Sequence, residues 1–450
     1  MTNRNSKTTD PEDTVVLDVD GSMTEADGRP RSSSIFSALS APQYRRFWIG
    51  SLASVGATQL LIIGQGVLVF DISGSEFLLG LAGAMTGVMT IAVTLFGGVA
   101  ADRVNKRLLL MATSLLIALL LFLLGTLDAT DTVKVWHVVA IASAIGLVTG
   151  FDIPARESIF PLLIEGRHQM MSAVALDSVV WQGTRIVVPA IGGFALAYFG
   201  TQSVFYAGVV GFILMFFVML TVRLDEIERA PARNVFTELW AGIRYVTADR
   251  LFAVLIPLTY ANMFFGLAYI QLIPVFADAY AGQSDQALGF LFTAGGFGSV
   301  SGTLAVGRAR SYFPTGPLML LGSLLTATTV ITFGIWTHFG PDPAGYANPI
   351  ISPMFAVSAS LMFFAGTFNS MFIINSMTTV QLRVPSGMRG RVMGIYAMTF
   401  SFIAVGGLFS GGIAELVNAS FAVATSAAVL FVIVVLVAVT QPVLRGLRDS

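Results

Sequence analysis

Few residues of this chain could do chemistry, and several lie where an ionisable group is costly. Asp177 and Arg185 share one long apolar stretch, and Asp152 and Arg156 stand four apart in another. A charge inside a bilayer costs about 2.5–3.5 kcal/mol on insertion scales, so such a group must be paired, face water, or carry function. Asp177 could take up and release a proton as its surroundings alternate between wet and dry; it could equally neutralise Arg185 or Arg156. Asp152 and Arg156 fall on one helical face and can pair there. Asp152, Asp177 and Arg185 are therefore the candidates for proton coupling. A third polar feature is the turn from Gly98 to Arg107, where Asp102, Arg103, Asn105, Lys106 and Arg107 crowd together between two apolar runs. Such a cluster cannot lie in hydrocarbon and marks a membrane surface. Other chemistries find little support. There are no cysteines, and His137, His168 and His338 are not at metal-ligand spacing. No nucleophile–base set, metal set or phosphate-binding glycine loop is present, so neither an enzyme nor a cofactor is expected. A net charge of −1 argues against a nucleic-acid partner.

The elements that must position these residues are helices in a membrane. The chain has 450 residues, 55% hydrophobic and 11% charged. A soluble protein would carry about a quarter charged residues. Twelve apolar runs between residues 47 and 440 are each long enough to cross a core of about 30 Å. The expected fold class is all-α: a polytopic membrane protein of twelve transmembrane helices in two six-helix bundles. All but Lys134 and Arg185 of the 25 Lys and Arg fall on one side when both termini are placed in the cytoplasm. The bias toward basic inner loops therefore fixes that orientation in the inner cell membrane. The expected divisions are a disordered acidic tail (1–34), an N-terminal bundle (35–222), a cytoplasmic linker with an interfacial helix (223–250), a C-terminal bundle (251–442) and a short tail (443–450).

The turn at 98–107 resembles the loop between helices 2 and 3 of the major facilitator superfamily. Gly98, Asp102, Arg103, Lys106 and Arg107 fit its pattern; Asn105 stands where that family has glycine and is read as keeping a left-handed turn. Val69–Ser75, Pro154–Arg156, Arg185–Gly193 with its Pro189 and Gly192–Gly193 pair, and Arg389–Gly394 are similar to the enterobactin-exporter and macrolide-efflux subgroup. The resemblance runs from Ala38 to Leu444. It implies a conformational latch in which Asp102 meets the start of span eleven, with Arg156, Gly390 and Arg391 taking part. A carboxylate facing a helix N-terminus is favoured there, and this contact would hold the inner side shut. It also implies a central cavity, for which Gln59, Gln65, Asn262, Gln271, Asn369 and Asn375 are the lining candidates. Amides, aromatics and methionines suit an amphipathic solute. The expected function is secondary active transport, the proton-coupled export of a small amphipathic molecule such as a drug, siderophore or metabolite. The expected partners are lipid bilayer, small-molecule substrate and protons. An uptake permease, or a transporter-like membrane sensor that moves nothing, are the alternatives.

Overall fold

The computed structural model describes residues 36–164, 167–223, 235–280 and 284–447. The tail 1–34, most of the first part of the linker and the last three residues lie outside the described residues. Among the described residues all regular structure is helical. Six helices form the N-terminal bundle: α1 (Pro42–Ser73), α2 (Glu76–Arg103), α3 (Lys106–Ala129), α4 (Val135–Ile159), α5 (Arg167–Phe199) and α6 (Thr201–Thr221). A surface helix, α7 (Val235–Ala248), follows. The C-terminal bundle begins with a seventh crossing in two pieces, α8 (Arg250–Ala261) and α9 (Tyr269–Asp278), joined by a π-helical turn at Asn262–Gly266. Then come α10 (Ser284–Ala309), α11 (Thr315–Phe339) and α12 (Pro353–Arg383). The eleventh crossing is again split, into α13 (Ser386–Ala397) and α14 (Ser401–Leu416) about a 3-10 turn, and α15 (Ala419–Thr440) completes the bundle. Among the described residues twelve crossings are long and apolar enough to span a bilayer.

The bundles repeat one packing plan. α2 packs on α4 and α3 on α6 in the first; α10 packs on α12 and α11 on α15 in the second. Two seams join the halves, α2 with α14 and α5 with α10. Glycine sets the spacing at both. A Cβ on Gly80 would fall 2.5 Å from the Gly407 carbonyl oxygen, and one on Gly193 would fall 2.7 Å from the Gly289 Cα. Lipid offers helices no hydrophobic drive to associate, so close backbone approach is what holds such seams. The same device works inside the C-terminal bundle, where a Cβ on Gly298 would collide with the Phe363 carbonyl of α12. Gly298→Ala is expected to cost about 1–3 kcal/mol through overpacking, read as a lowered Tm of the detergent-purified protein.

The apolar core shows where the halves meet. One face of the molecule carries the start of α1 and the end of α15 and is termed the tail face; the opposite one is the far face. Toward the far face a single core runs through both halves, from Val67, Leu79 and Leu121 to Leu272, Leu288 and Phe333. Toward the tail face the core divides. Tyr44, Leu110, Ile159 and Met219 form one part in the N-terminal half, and Phe252, Met319, Phe372 and Tyr396 form another in the C-terminal half. The halves are thus joined at the far face and separately packed at the tail face.

Candidate functional site

Asp152 and Arg156 come from consecutive turns of α4 and form an ion pair of 3.1 Å, with 6% and 7% of their surface exposed. Pro154, between them, cannot donate to the Gly150 carbonyl and opens the helix locally. The pair is closed off by neighbours. Thr113 of α3 donates to Asp152 Oδ1 at 2.7 Å, and Arg156 donates to the hydroxyls of Ser51 and Ser54 of α1 at 3.2 and 3.0 Å. The network thus ties α1, α3 and α4 together. Ser51 and Ser54 were not singled out by the sequence reading, although their spacing of three on α1 places them on one face. Arg156, expected at the latch, gives three of its five N–H donors to Asp152 and the two serines of this network.

Asp177 lies in α5 just below this network. It is half-buried, within electrostatic reach of Arg156, Glu157 and Tyr44. It has no hydrogen-bond or ion-pair partner among the described residues. The start of α5 is held against the chain's entry into the membrane: Tyr44 and Trp48 donate to the Ala173 and Leu176 carbonyls at 3.1 Å each, and the Ala38 amide donates to Ser172 at 3.0 Å. Asp177 therefore follows an anchored helix start, and its carboxylate is unpaired among the described residues.

Arg185 stands two turns further along α5, half-buried, where α5 meets the C-terminal half. Its electrostatic neighbour is Tyr269 of α9, and no carboxylate lies within ion-pair distance among the described residues. Asp177 and Arg185 are thus not a pair. Beyond Arg185, toward the far face, the α5–α10 seam closes at Pro189 and Gly193. Arg185 lies under that closure.

The amides separate into distinct groups. The Gln271 side chain sits between Gly83 of α2 and Gly407 of α14, inside a seam. Gln59 is half-buried and Gln65 buried, both on α1. Asn369 is buried, with its Oδ1 unpartnered. Asn262 and Asn375 have no exposed surface. Asn262 donates to Ser323 at 2.7 Å and Asn375 to the Met371 carbonyl at 2.6 Å. Expected to line the cavity, these two are sealed inside the C-terminal bundle and offer a solute no contact in this conformation.

At the tail face, the Asp102 and Arg103 side chains and the surroundings of Gly98 and Gly390 lie outside what is described. Asn105 is not left-handed: at φ −59° and ψ 110° it caps α3, accepting from the Leu108 amide at 3.2 Å. Lys106, the first residue of α3, is half-buried. Arg107 donates to the Met219 and Leu220 carbonyls at 2.7 and 2.6 Å and so caps the end of α6 within its own half. Arg391 lies beneath α7, close to Gly242.

The split crossings face each other. Tyr260, just before the π-helical turn, donates to the Ile395 carbonyl at 2.6 Å and stacks on Phe402 at 4.5 Å. Gly406 abuts the Phe264 carbonyl within the turn.

A sequence model of the transmembrane secretion effector family matches residues 33–446. The chain belongs to that family. It is a major facilitator superfamily transporter and a multi-pass membrane protein, not an enzyme. The chain is similar to the enterobactin exporters EntS of Shigella boydii serotype 4 (strain Sb227) and Escherichia coli O1:K1 / APEC. Identity to each is 23%, over 91% of this chain and 94% of the relative. Its fold resembles the crystal structures of the nucleoside transporter NupG (TM-score 0.65, 12% identity, 90% of this chain and 100% of that one) and of a bacterial homologue of the human lysosomal transporter Spinster, inward-facing and unoccupied (TM-score 0.63, 13% identity, 92% and 97%).

Proposed function

We propose that this transporter exports a small amphipathic molecule bearing an acidic group, by alternating access, driven by proton entry. The observation that carries this reading is Arg185: a cation midway through a crossing, at the meeting of the halves, without a carboxylate partner among the described residues. An intramembrane charge without a partner is a functional site by default, and a solute acid would complete it. Tyr269, beside Arg185, supplies an aromatic surface for the apolar remainder. Asp177, uncommitted and on the tail side of Arg185, serves as the proton carrier. The tail face is cytoplasmic in this reading, because the basic turns gather there. The separate tail-face cores then correspond to a state open to the cytoplasm. The relatives' role as enterobactin exporters favours export over uptake.

The test is a solute screen in proteoliposomes under an imposed proton gradient, with each amphipathic acid run beside its neutral amide. At least one acid is expected to accumulate against its own gradient. Arg185→Gln should raise the KM for that acid about tenfold or more, the effect of about 1.4 kcal/mol or more of lost pairing, and leave transport of any neutral solute unchanged. A screen in which no solute responds to the gradient would sink the reading.

A further inference from the structure

At the far face one carboxylate reaches across the seam between the halves. Glu415 lies in the last turn of α14, in the C-terminal half. Its Oε2 accepts from the Ser75 hydroxyl at 2.8 Å and from the Phe77 amide at 3.3 Å, both at the start of α2 in the N-terminal half. The Glu76 amide and carboxyl group are within hydrogen-bonding reach as well. Ser75 is the cap of α2, since its hydroxyl oxygen accepts from the Leu78 amide at 3.2 Å. Glu415 therefore sits on a helix N-terminus, where the first amides lack helical acceptors and the aligned peptide dipoles favour an anion. Next to this contact the two backbones touch, Gly411 against the Glu76 carbonyl and Gly80 against Gly407. These bonds cannot survive separation of the halves at this face.

We propose that Glu415 is a far-face latch that holds the transporter closed on that side, opposite in effect to the latch expected of Asp102. The two devices have one plan. α2 and the eleventh crossing run antiparallel along the same seam. Asp102 stands near the C-terminal end of α2, at the face where α13 begins; Glu415 stands at the C-terminal end of α14, at the face where α2 begins. Each helix thus ends in an acid at the face where the other begins, and each acid can be engaged in one state of access. The Glu76 carboxyl, within reach of Glu415, can hold it only by sharing a proton and repels it when both are ionised, so Glu76 tunes the strength of the far-face latch.

The proposal rests on alternating access, and the test separates the two ideas without needing the substrate. The chain has no natural cysteine. A cysteine at Gln271, inside the α2–α14 seam, reports far-face opening through its rate of reaction with an impermeant maleimide applied to that face. In this background Glu415→Ala should raise the labelling rate about threefold, and Glu415→Gln, of nearly unchanged shape, should raise it less. Glu76→Gln should lower it, which mere loosening of the helix end would not do. Asp102→Asn, by weakening tail-face closure, should also lower it. If Asp102→Asn shifts the rate while Glu415→Ala and Glu415→Gln leave it unchanged, Glu415 is no latch and alternating access stands. If no substitution shifts the rate, both are overturned.

Discussion

Asp177→Asn is expected to abolish proton-driven accumulation of substrate while leaving exchange of substrate down its own gradient intact. The reason lies in what surrounds this carboxylate. The charge of the nearby guanidinium, Arg156, is already matched by Asp152, so it neutralises Asp177 incompletely. An exporter must release its proton to the cytoplasm before the next substrate loads, and Asp177 lies on the tail side of Arg185. Asparagine keeps the volume and removes the titration. The measurement is uptake into proteoliposomes at fixed external and varied internal pH. Wild-type rates should follow the pH on the tail side, and the variant's should not. A variant with the wild-type pH profile would make Asp177 structural and pass the role to Asp152.

The second large effect is on stability. Arg156→Ala is expected to cost about 3–5 kcal/mol, because it leaves the Asp152 carboxylate buried without its counter-charge. Asp152→Asn should be less harmful, since the amide still accepts from Thr113, but it strands the guanidinium. The double variant Asp152→Asn/Arg156→Met removes both charges together and should recover much of the loss. A double-mutant cycle on thermal unfolding in detergent measures the coupling. Additive losses would show that the two residues act separately. The cycle also bears on coupling: a recovered, transporting double variant would exclude Asp152 as the proton carrier.

The twelve crossings and the polar turn at 98–107 were legible because hydrocarbon forces long apolar runs and admits no cluster of charges. The Asp152–Arg156 pair was legible because a spacing of four fixes two side chains on one helical face. The rest depends on rotation and on distant partners. Asn262 and Asn375 looked like cavity residues, but which way an amide faces is set by how its helix is turned against its neighbours, and theirs are turned inward. Asn105 looked like a stand-in for glycine, whereas its side chain makes a cap. Glu415 meets a serine 340 positions away, beyond any local pattern. The seventh crossing carries Pro257, Asn262, Gly266 and Pro274, but such residues do not tell where a helix breaks or into what kind of turn.

That break carries a consequence for which changes of length the chain can accept. Each residue advances a helix by about 100°, so the wider π-helical turn at Asn262–Gly266 acts as an insertion absorbed in place. Tyr260 lies before it and addresses Ile395; Tyr269 and Gln271 lie after it and address Arg185 and the α2–α14 seam. Removing one residue between the turn and Tyr269, where the winding has no slack, would swing Tyr269 and Gln271 by about 100°, away from both; removing one from the turn itself would only restore regular winding. Many apolar side chains could occupy these positions, but outside the turn their number is fixed. In this crossing the chain's arithmetic matters more than its alphabet.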